Sequence, residues 1–131
     1  MANPWEQHGT FSWCELMTTD TDAAQTFYAQ LFGWEMQDQP MPGMMYTVLQ
    51  SNGKEVGGGL MPIPDEAAGC PPTWGIYVTV DDVDATAKTT TELGGTVMRL
   101  PTDIPNVGRF AIIQDPQGAM LSIISYFPKP S

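Results

Sequence analysis

The chain has 131 residues, of which 42% are hydrophobic and 15% charged, a composition typical of one globular domain with a single sizeable core. Lys and Arg number 5 against 15 Asp and Glu, and the resulting net charge of −10 disfavours nucleic acid and anionic membranes, both of which attract basic surfaces. No apolar run approaches the roughly 18 residues of a membrane-spanning helix, and the first residues lack a signal-peptide pattern. We therefore expect a cytoplasmic protein.

Apolar periodicity predicts two helices among eight strands. Asp20 is a predicted N-cap and Gly33 a predicted C-cap of the first helix, whereas Gly94 and Gly95 close the second. The residues that share one predicted face of the first helix are Ala24, Phe27, Tyr28 and Leu31. The predicted elements in chain order are strand 11–18, helix 21–32, strands 34–40, 44–51 and 54–62, strand 73–80, helix 83–93, and strands 95–100, 107–114 and 118–126.

The two cysteines are predicted to be reduced thiols. Cys14 lies in a strand-like run and Cys70 in a loop rich in Gly and Pro, with no spacing typical of a metal site. A nucleophilic Cys14 needs a nearby base, and the single histidine, His8, lies in the N-terminal segment. A structural role is therefore favoured for Cys14.

The order strand, helix and three strands occurs twice, which indicates an internal repeat. An offset of 62 residues superposes Asp20 on Asp82 and Gly33 on Gly95. We therefore predict an α+β fold of two tandem βαβββ modules, 9–62 and 73–127, joined by a linker at 63–72. The modules are expected to form a cupped eight-stranded mixed sheet with the helices on the convex face and a ligand cleft on the concave face.

Several motifs, which span nearly the whole chain in order, resemble those of the vicinal oxygen chelate superfamily, which includes glyoxalase I, bleomycin-resistance proteins and extradiol dioxygenases. The resemblance implies a homodimer that binds a small molecule, and in the family's enzymes a divalent metal held by four side chains. The residues that carry it are Phe11–Leu16, Asp22–Tyr28, Leu31–Trp34, Tyr77–Ala85, Glu92–Gly95, Gly108–Phe110 and Asp115–Gly118.

The metal-ligand positions that the resemblance implies are occupied by Trp13, Gly57, Gly75 and Ser122. An indole, two glycines and one hydroxyl cannot supply the nitrogen and oxygen ligands of such a metal. Glu15 and Glu55 could supply two carboxylates, which without histidine would hold only a hard cation, and weakly. We therefore expect neither a metal nor another cofactor.

Strand alternation places Trp13, Glu15, Tyr77 and Ser122 on the predicted cleft face. Pairing across the Asp115–Gly118 hairpin, with Arg109 opposite Ile124, adds Arg109 to this face. Trp13 either plugs the cleft or stacks on a ligand. Glu15 pairs with Arg109, with Tyr77 or with a ligand, and Arg109 either forms a solvated pair at the rim or binds a carboxylate. The glycines 57–59 leave room for close packing or for a ligand.

These residues favour a protein that resembles the superfamily but holds no metal, and that binds a small apolar or aromatic molecule through Trp13 and Glu15. The alternative is an enzyme of the superfamily, either a lyase or dioxygenase with an atypical metal site or a metal-free isomerase with Glu15 as general base. A third reading is an interaction module whose cleft is plugged by Trp13.

Overall fold

A computed structural model describes residues 3–41 and 44–128, with the side chain of Glu66 left out. The described residues form eight strands and two α-helices in the predicted order, with a short 3-10 helix at Asp65–Ala67, so the α+β class with two βαβββ modules is confirmed. No helix among them is long and apolar enough to cross a membrane. The elements are β1 Phe11–Thr18, α1 Thr21–Phe32, β2 Glu35–Met41, β3 Met44–Ser51, β4 Lys54–Pro62, β5 Thr73–Thr79, α2 Val83–Glu92, β6 Thr96–Ile104, β7 Gly108–Gln114 and β8 Met120–Tyr126.

The described residues divide into two compact units. The first lies within Trp13–Gly75, and the second comprises residues 3–12 and 76–128. In the first unit the strand order is β2-β3-β4-β1, and only the β1–β4 pair is parallel. Helix α1 covers one face of these strands. The core on that face contains Leu16, Leu49 and Leu60, with Ala24, Tyr28, Trp34 and Met36 packed against it.

The ends of α1 match the prediction. The Asp20 carboxylate accepts a hydrogen bond from the Ala23 amide at 3.0 Å, and Gly33 adopts a left-handed conformation with φ of 72°. The predicted apolar face of α1 is only half correct, because Phe27 and Leu31 are more than half exposed. Tyr28 instead fills the space over the core, where its ring stacks on Trp34 at 5.9 Å.

The second unit has the strand order β5-β8-β7-β6, with β5 and β8 parallel and the other pairs antiparallel. Helix α2 begins at the N-cap Asp82 and covers one face of these strands. The core contains Val80, Val83, Ala111 and Ile123.

The predicted register of the β7–β8 hairpin is wrong by one residue. Arg109 lies opposite Ser125 rather than Ile124. The loop between the strands is one residue longer than predicted. The Asp115 carboxylate accepts hydrogen bonds from the backbone N–H groups of Gln117 and Ala119, and β8 begins only at Met120. A slip of one residue turns every side chain of a strand to the opposite face.

Arg109 consequently lies on the face covered by α2 and not on the predicted ligand face. Its Nε donates to Asp84 Oδ2 at 2.8 Å and its Nη1 donates to Asp103 Oδ1 at 2.9 Å. The expectation that Arg109 binds a ligand or pairs with Glu15 is therefore corrected, since Arg109 instead links α2 to the β6–β7 hairpin.

The Arg109–Asp84 pair predicts a specific acid dependence of stability. The hydrogen bond from Arg109 holds the pKa of Asp84 below its ordinary value. Because this pKa is lower in the folded than in the unfolded chain, the pair stabilises the fold at neutral pH. The contribution is lost as pH falls below the ordinary carboxyl range of about 4. We expect Arg109→Gln to lower the melting temperature at about pH 7 but hardly at about pH 2.5.

Thermal unfolding followed by circular dichroism at the two pH values measures this difference. The matched control is Lys88→Gln, which removes a positive charge from the exposed surface of α2. Equal losses for Arg109→Gln at both pH values would contradict the assignment.

Candidate functional site

Three side chains on the face of the first unit opposite α1 form a hydrogen-bonded relay. The Trp13 indole Nε1 donates to the Tyr46 hydroxyl at 2.7 Å, and that hydroxyl donates to Glu15 Oε1 at 2.8 Å. Trp13 and Glu15 alternate along β1 with Leu16 of the core, which places both on the face away from the helix. Trp13 and Tyr46 are half-buried, whereas only 8% of Glu15 is exposed.

The relay has a fixed direction. An indole N–H can only donate a hydrogen bond, so the Tyr46 oxygen accepts from Trp13 and its own proton points to Glu15. Burying an unpaired carboxylate would cost roughly several kcal/mol of folding free energy. The hydrogen bond from Tyr46 gives the buried Glu15 carboxylate a partner. The arrangement thus orients the indole ring and a buried carboxylate together.

Gly59 makes room for the Tyr46 ring. It lies opposite Glu15 in the parallel β1–β4 pair, and a Cβ atom at this position would be 2.5 Å from Tyr46 Cε1. Real Cβ atoms do not approach ring atoms so closely, so any larger residue would displace the tyrosine. The room expected from the glycines 57–59 is occupied at Gly59 by Tyr46.

Tyr46 is the site residue that the sequence analysis missed. The signal was available, because an aromatic residue on β3 faces the glycine run of the neighbouring strand. Glycine in a strand interior often marks the close approach of another group. The hydrogen bonds to Trp13 and Glu15 could not be deduced without the pairing register.

The residues at the metal-ligand positions implied by the resemblance do not fit a divalent metal. Glu15 pairs with Gly59 and Tyr77 pairs with Ser122, so the repeat equivalent of Ser122 is Gly59 and not Gly57 as predicted. Neither glycine has a side chain that could ligate a metal. The Trp13 indole N–H donates a hydrogen bond and offers no lone pair to a metal. Within residues 3–41 and 44–128, no group of three or more His, Cys, Asp or Glu side chains is placed to hold a metal ion.

The second unit brings Tyr77 and Ser122 together. These residues are opposite each other in the β5–β8 pair, and Tyr77 is buried with its ring 6.5 Å from that of Phe110. Tyr77 lies three residues before Val80, which belongs to the core under α2. Because side chains alternate between the two faces along a strand, Tyr77 lies on the face away from α2. Of the five predicted ligand-binding residues, Trp13 and Glu15 therefore form one group, Tyr77 and Ser122 form another, and Arg109 belongs to neither.

Comparison with known protein sequences matches this chain to one family and to several relatives. A sequence profile described as the Glyoxalase/Bleomycin resistance protein/Dioxygenase superfamily matches residues 10–123. A Mycobacterium bovis protein named "Putative glyoxylase CFP32" is 42% identical over 120 residues, which cover 89% of this chain and 46% of the relative. The "Anthracycline biosynthesis protein DnrV" of Streptomyces peucetius is 32% identical over 127 residues, covering 88% of this chain and 46% of the relative. The chain thus spans about half the length of the curated relatives it matches.

Solved structures share the fold at low sequence identity. Methylmalonyl-CoA epimerase from Mycobacterium tuberculosis superposes with a TM-score of 0.64 at 17% identity, covering 98% of this chain and 93% of the other. The Streptomyces coelicolor epimerase, in complex with 2-nitronate-propionyl-CoA, gives 0.64 at 19% identity over 90% and 97% of the two chains. These similarities support the fold. Any chemistry has to be inferred from the residues of this chain itself.

The position of Tyr46 predicts the effect of a methyl group at Gly59. We expect Gly59→Ala to lower the free energy of unfolding by about 1–3 kcal/mol, because the added Cβ displaces the tyrosine ring. In a Tyr46→Ala background the same substitution is expected to cost far less, since the clash is gone. Urea denaturation of the four proteins of this double-mutant cycle measures the coupling.

Gly75→Ala is the matched control for this cycle. The nearest atom to its added Cβ is the Glu15 carbonyl oxygen at 3.9 Å, which is ordinary contact. The control is expected to change stability by less than about 0.5 kcal/mol. Additive effects of Gly59→Ala and Tyr46→Ala would show that Gly59 does not position the relay.

Proposed function

The chain belongs to the glyoxalase, bleomycin resistance protein and dioxygenase superfamily, and we propose that it binds a small apolar or aromatic molecule without a metal. The binding surface is the face of the first unit opposite α1, where Trp13 stacks on the ligand and Glu15 anchors its polar group. The observation that carries this proposal is the relay from Trp13 through Tyr46 to Glu15.

The relay supports stacking because it fixes the orientation of a large aromatic surface. Trp13 is half-buried with its N–H engaged by Tyr46, so its ring is oriented before a ligand arrives. Aromatic stacking contributes about 0.5–1.5 kcal/mol beyond the burial of apolar area. A surface that is ordered in advance loses little side-chain entropy on binding.

Glu15 supplies the polar anchor. Core packing on α1 uses the other face of β1, so the buried carboxylate does not belong to the helix-side core. Its negative charge, on a chain of net charge −10, favours a neutral or cationic ligand that can donate a hydrogen bond. Tyr77 and Ser122 are proposed as further ligand-binding residues, on the corresponding face of the second unit.

The name of one relative agrees with an aromatic ligand. One relative is named for the biosynthesis of anthracyclines, compounds that contain fused aromatic rings. An anthracycline is therefore a suitable first probe, and its own fluorescence makes binding measurable.

We expect doxorubicin to bind the wild-type chain saturably and Trp13→Leu to weaken the binding about tenfold, because the stacking surface is lost. Glu15→Gln is expected to weaken it about threefold through loss of the anionic anchor. Fluorescence anisotropy titration measures both dissociation constants. Trp74→Leu is the matched control, since Trp74 is an exposed indole whose Nε1 donates to Tyr28 of α1.

Three results of this titration decide the proposal. A selective loss in Trp13→Leu supports it, whereas equal affinities of Trp13→Leu and wild type contradict it. Failure of doxorubicin and of a panel of neutral and cationic aromatic compounds to bind would also contradict it and would favour the interaction module with Trp13 as a plug.

A second candidate function is metal-free isomerisation with Glu15 as the general base. The buried carboxylate held by Tyr46 favours this candidate, since a fixed carboxylate can remove a proton adjacent to a carbonyl group. Incorporation of solvent deuterium into phenylacetone, a neutral aromatic ketone, distinguishes the two candidates. Catalysed exchange that falls about 100-fold in Glu15→Gln but persists in the exposed Glu55→Gln supports the enzyme, and no exchange by the wild type supports the binding protein.

The proposal also includes a homodimer in the cytoplasm, with module boundaries at 9–62 and 73–127. The homodimer and the small-molecule ligand follow from the family resemblance, and the acidic charge disfavours nucleic acid and anionic membranes as partners.

A further inference from the structure

A pocket of about 550 Å³ lies in the second unit at the carboxyl ends of β5 and β8. We propose that this pocket binds a small organic cation, such as a substituted ammonium group. Its walls combine the aromatic residues Trp5, Tyr126 and Phe127 with the carboxylates of Glu6 and Asp81. Its volume falls within the range of roughly 300–1,000 Å³ that is typical of small-molecule sites.

One wall of the pocket is the N-terminal segment, which hydrogen bonds hold against the end of β5. The Gly9 amide donates to the Thr79 carbonyl at 2.7 Å, and the Thr79 hydroxyl donates to the Pro4 carbonyl at 2.7 Å. The Asp81 amide donates to His8 Nδ1 at 3.0 Å. These bonds make the wall that carries Trp5 and Glu6 a fixed part of the unit.

The aromatic surface of the pocket is also ordered. Trp5 and Tyr126 stack with ring centroids 5.3 Å apart and an interplanar angle of 25°. Both polar tips reach Ser12, because Trp5 Nε1 donates to the Ser12 carbonyl at 3.1 Å and the Tyr126 and Ser12 hydroxyls are 2.9 Å apart. The faces of such rings attract cations through their quadrupoles.

The charged side chains among the described lining residues of the pocket are both carboxylates. Glu6 and Asp81 are exposed, with 82% of the Asp81 side chain accessible, so a ligand can reach both carboxylates. Among the described residues that line the pocket, none is a Lys or Arg. Carboxylates beside ordered aromatic faces favour a large, weakly hydrated cation over an anion or a neutral molecule.

Choline and its uncharged isostere 3,3-dimethyl-1-butanol provide a direct test on the full chain. The two molecules share their shape, so a difference in affinity reports the positive charge. We expect choline to shift the Trp5 indole N–H signal saturably in NMR spectra, with affinity about tenfold above that of the alcohol. The signal is assigned by its loss in Trp5→Phe, which keeps an aromatic face.

Variants separate the local site from the overall negative charge. Choline affinity, followed through the methyl signals of the ligand, is expected to fall about fivefold in the Glu6→Gln, Asp81→Asn double variant and in Trp5→Leu. The control Glu55→Gln, Glu92→Gln removes the same two charges from exposed positions outside the pocket and is expected to retain the affinity. Circular dichroism verifies that each variant is folded.

Three results would overturn the proposal. The first is equal binding of choline and the alcohol, which would make the pocket merely apolar. The second is an equal loss in the two double variants, which would attribute binding to net charge alone. The third is retention of full affinity in both the Glu6, Asp81 double variant and Trp5→Leu.

Discussion

The hydrogen bond that Trp13 donates to Tyr46, continued from Tyr46 to Glu15, is the interaction on which the site of the first unit depends. It fixes a half-buried indole and a buried carboxylate on the same face of the strands. The relay in turn requires Gly59, because any Cβ there would occupy the space of the tyrosine ring. A tryptophan, a tyrosine, a glutamate and a glycine on three neighbouring strands thus act as one structural element.

The residues of this element are the basis of the chemistry that we propose for this chain. In the superfamily's enzymes the same strand positions are expected to supply metal ligands, whereas here the indole N–H is a donor and the glycine has no side chain. The remaining chemistry is that of an aromatic surface beside a carboxylate. We propose that such a pair binds molecules that stack and donate a hydrogen bond, with proton removal from them as the second candidate function.

The two units share an architecture but use it differently. In the first unit, the buried carboxylate Glu15 lies away from the helix-covered face. In the second unit, the carboxylate Asp84 lies at the start of α2, where Arg109 connects it to Asp103 on β6. The second unit also includes the N-terminal segment, which brings Trp5 onto Tyr126.

Much of the fold could be predicted because its signals are local. Asp20 and Gly33 determine the ends of α1 through their own side-chain and backbone conformations, and the repeat of such signals revealed the second module. The positions of Trp13 and Glu15 on one strand face followed from simple alternation along β1.

The errors arose where distant residues decide the outcome. The face of Arg109 depended on one loop residue, Ala119, held by the Asp115 side chain. The exposure of Phe27 depended on which aromatic side chain filled the space above the core. Tyr46 was missed because its partners lie on another strand, and only the register reveals them.

Native mass spectrometry of the whole chain, purified with Zn²⁺, Ni²⁺, Mn²⁺ and Fe²⁺ available, tests the central claim most directly. If the relay occupies the place of the family's metal centre, the mass corresponds to the chain without a stoichiometric ion, in wild type and in Glu15→Gln alike. One tightly held ion per chain that is lost in Glu15→Gln would contradict this account.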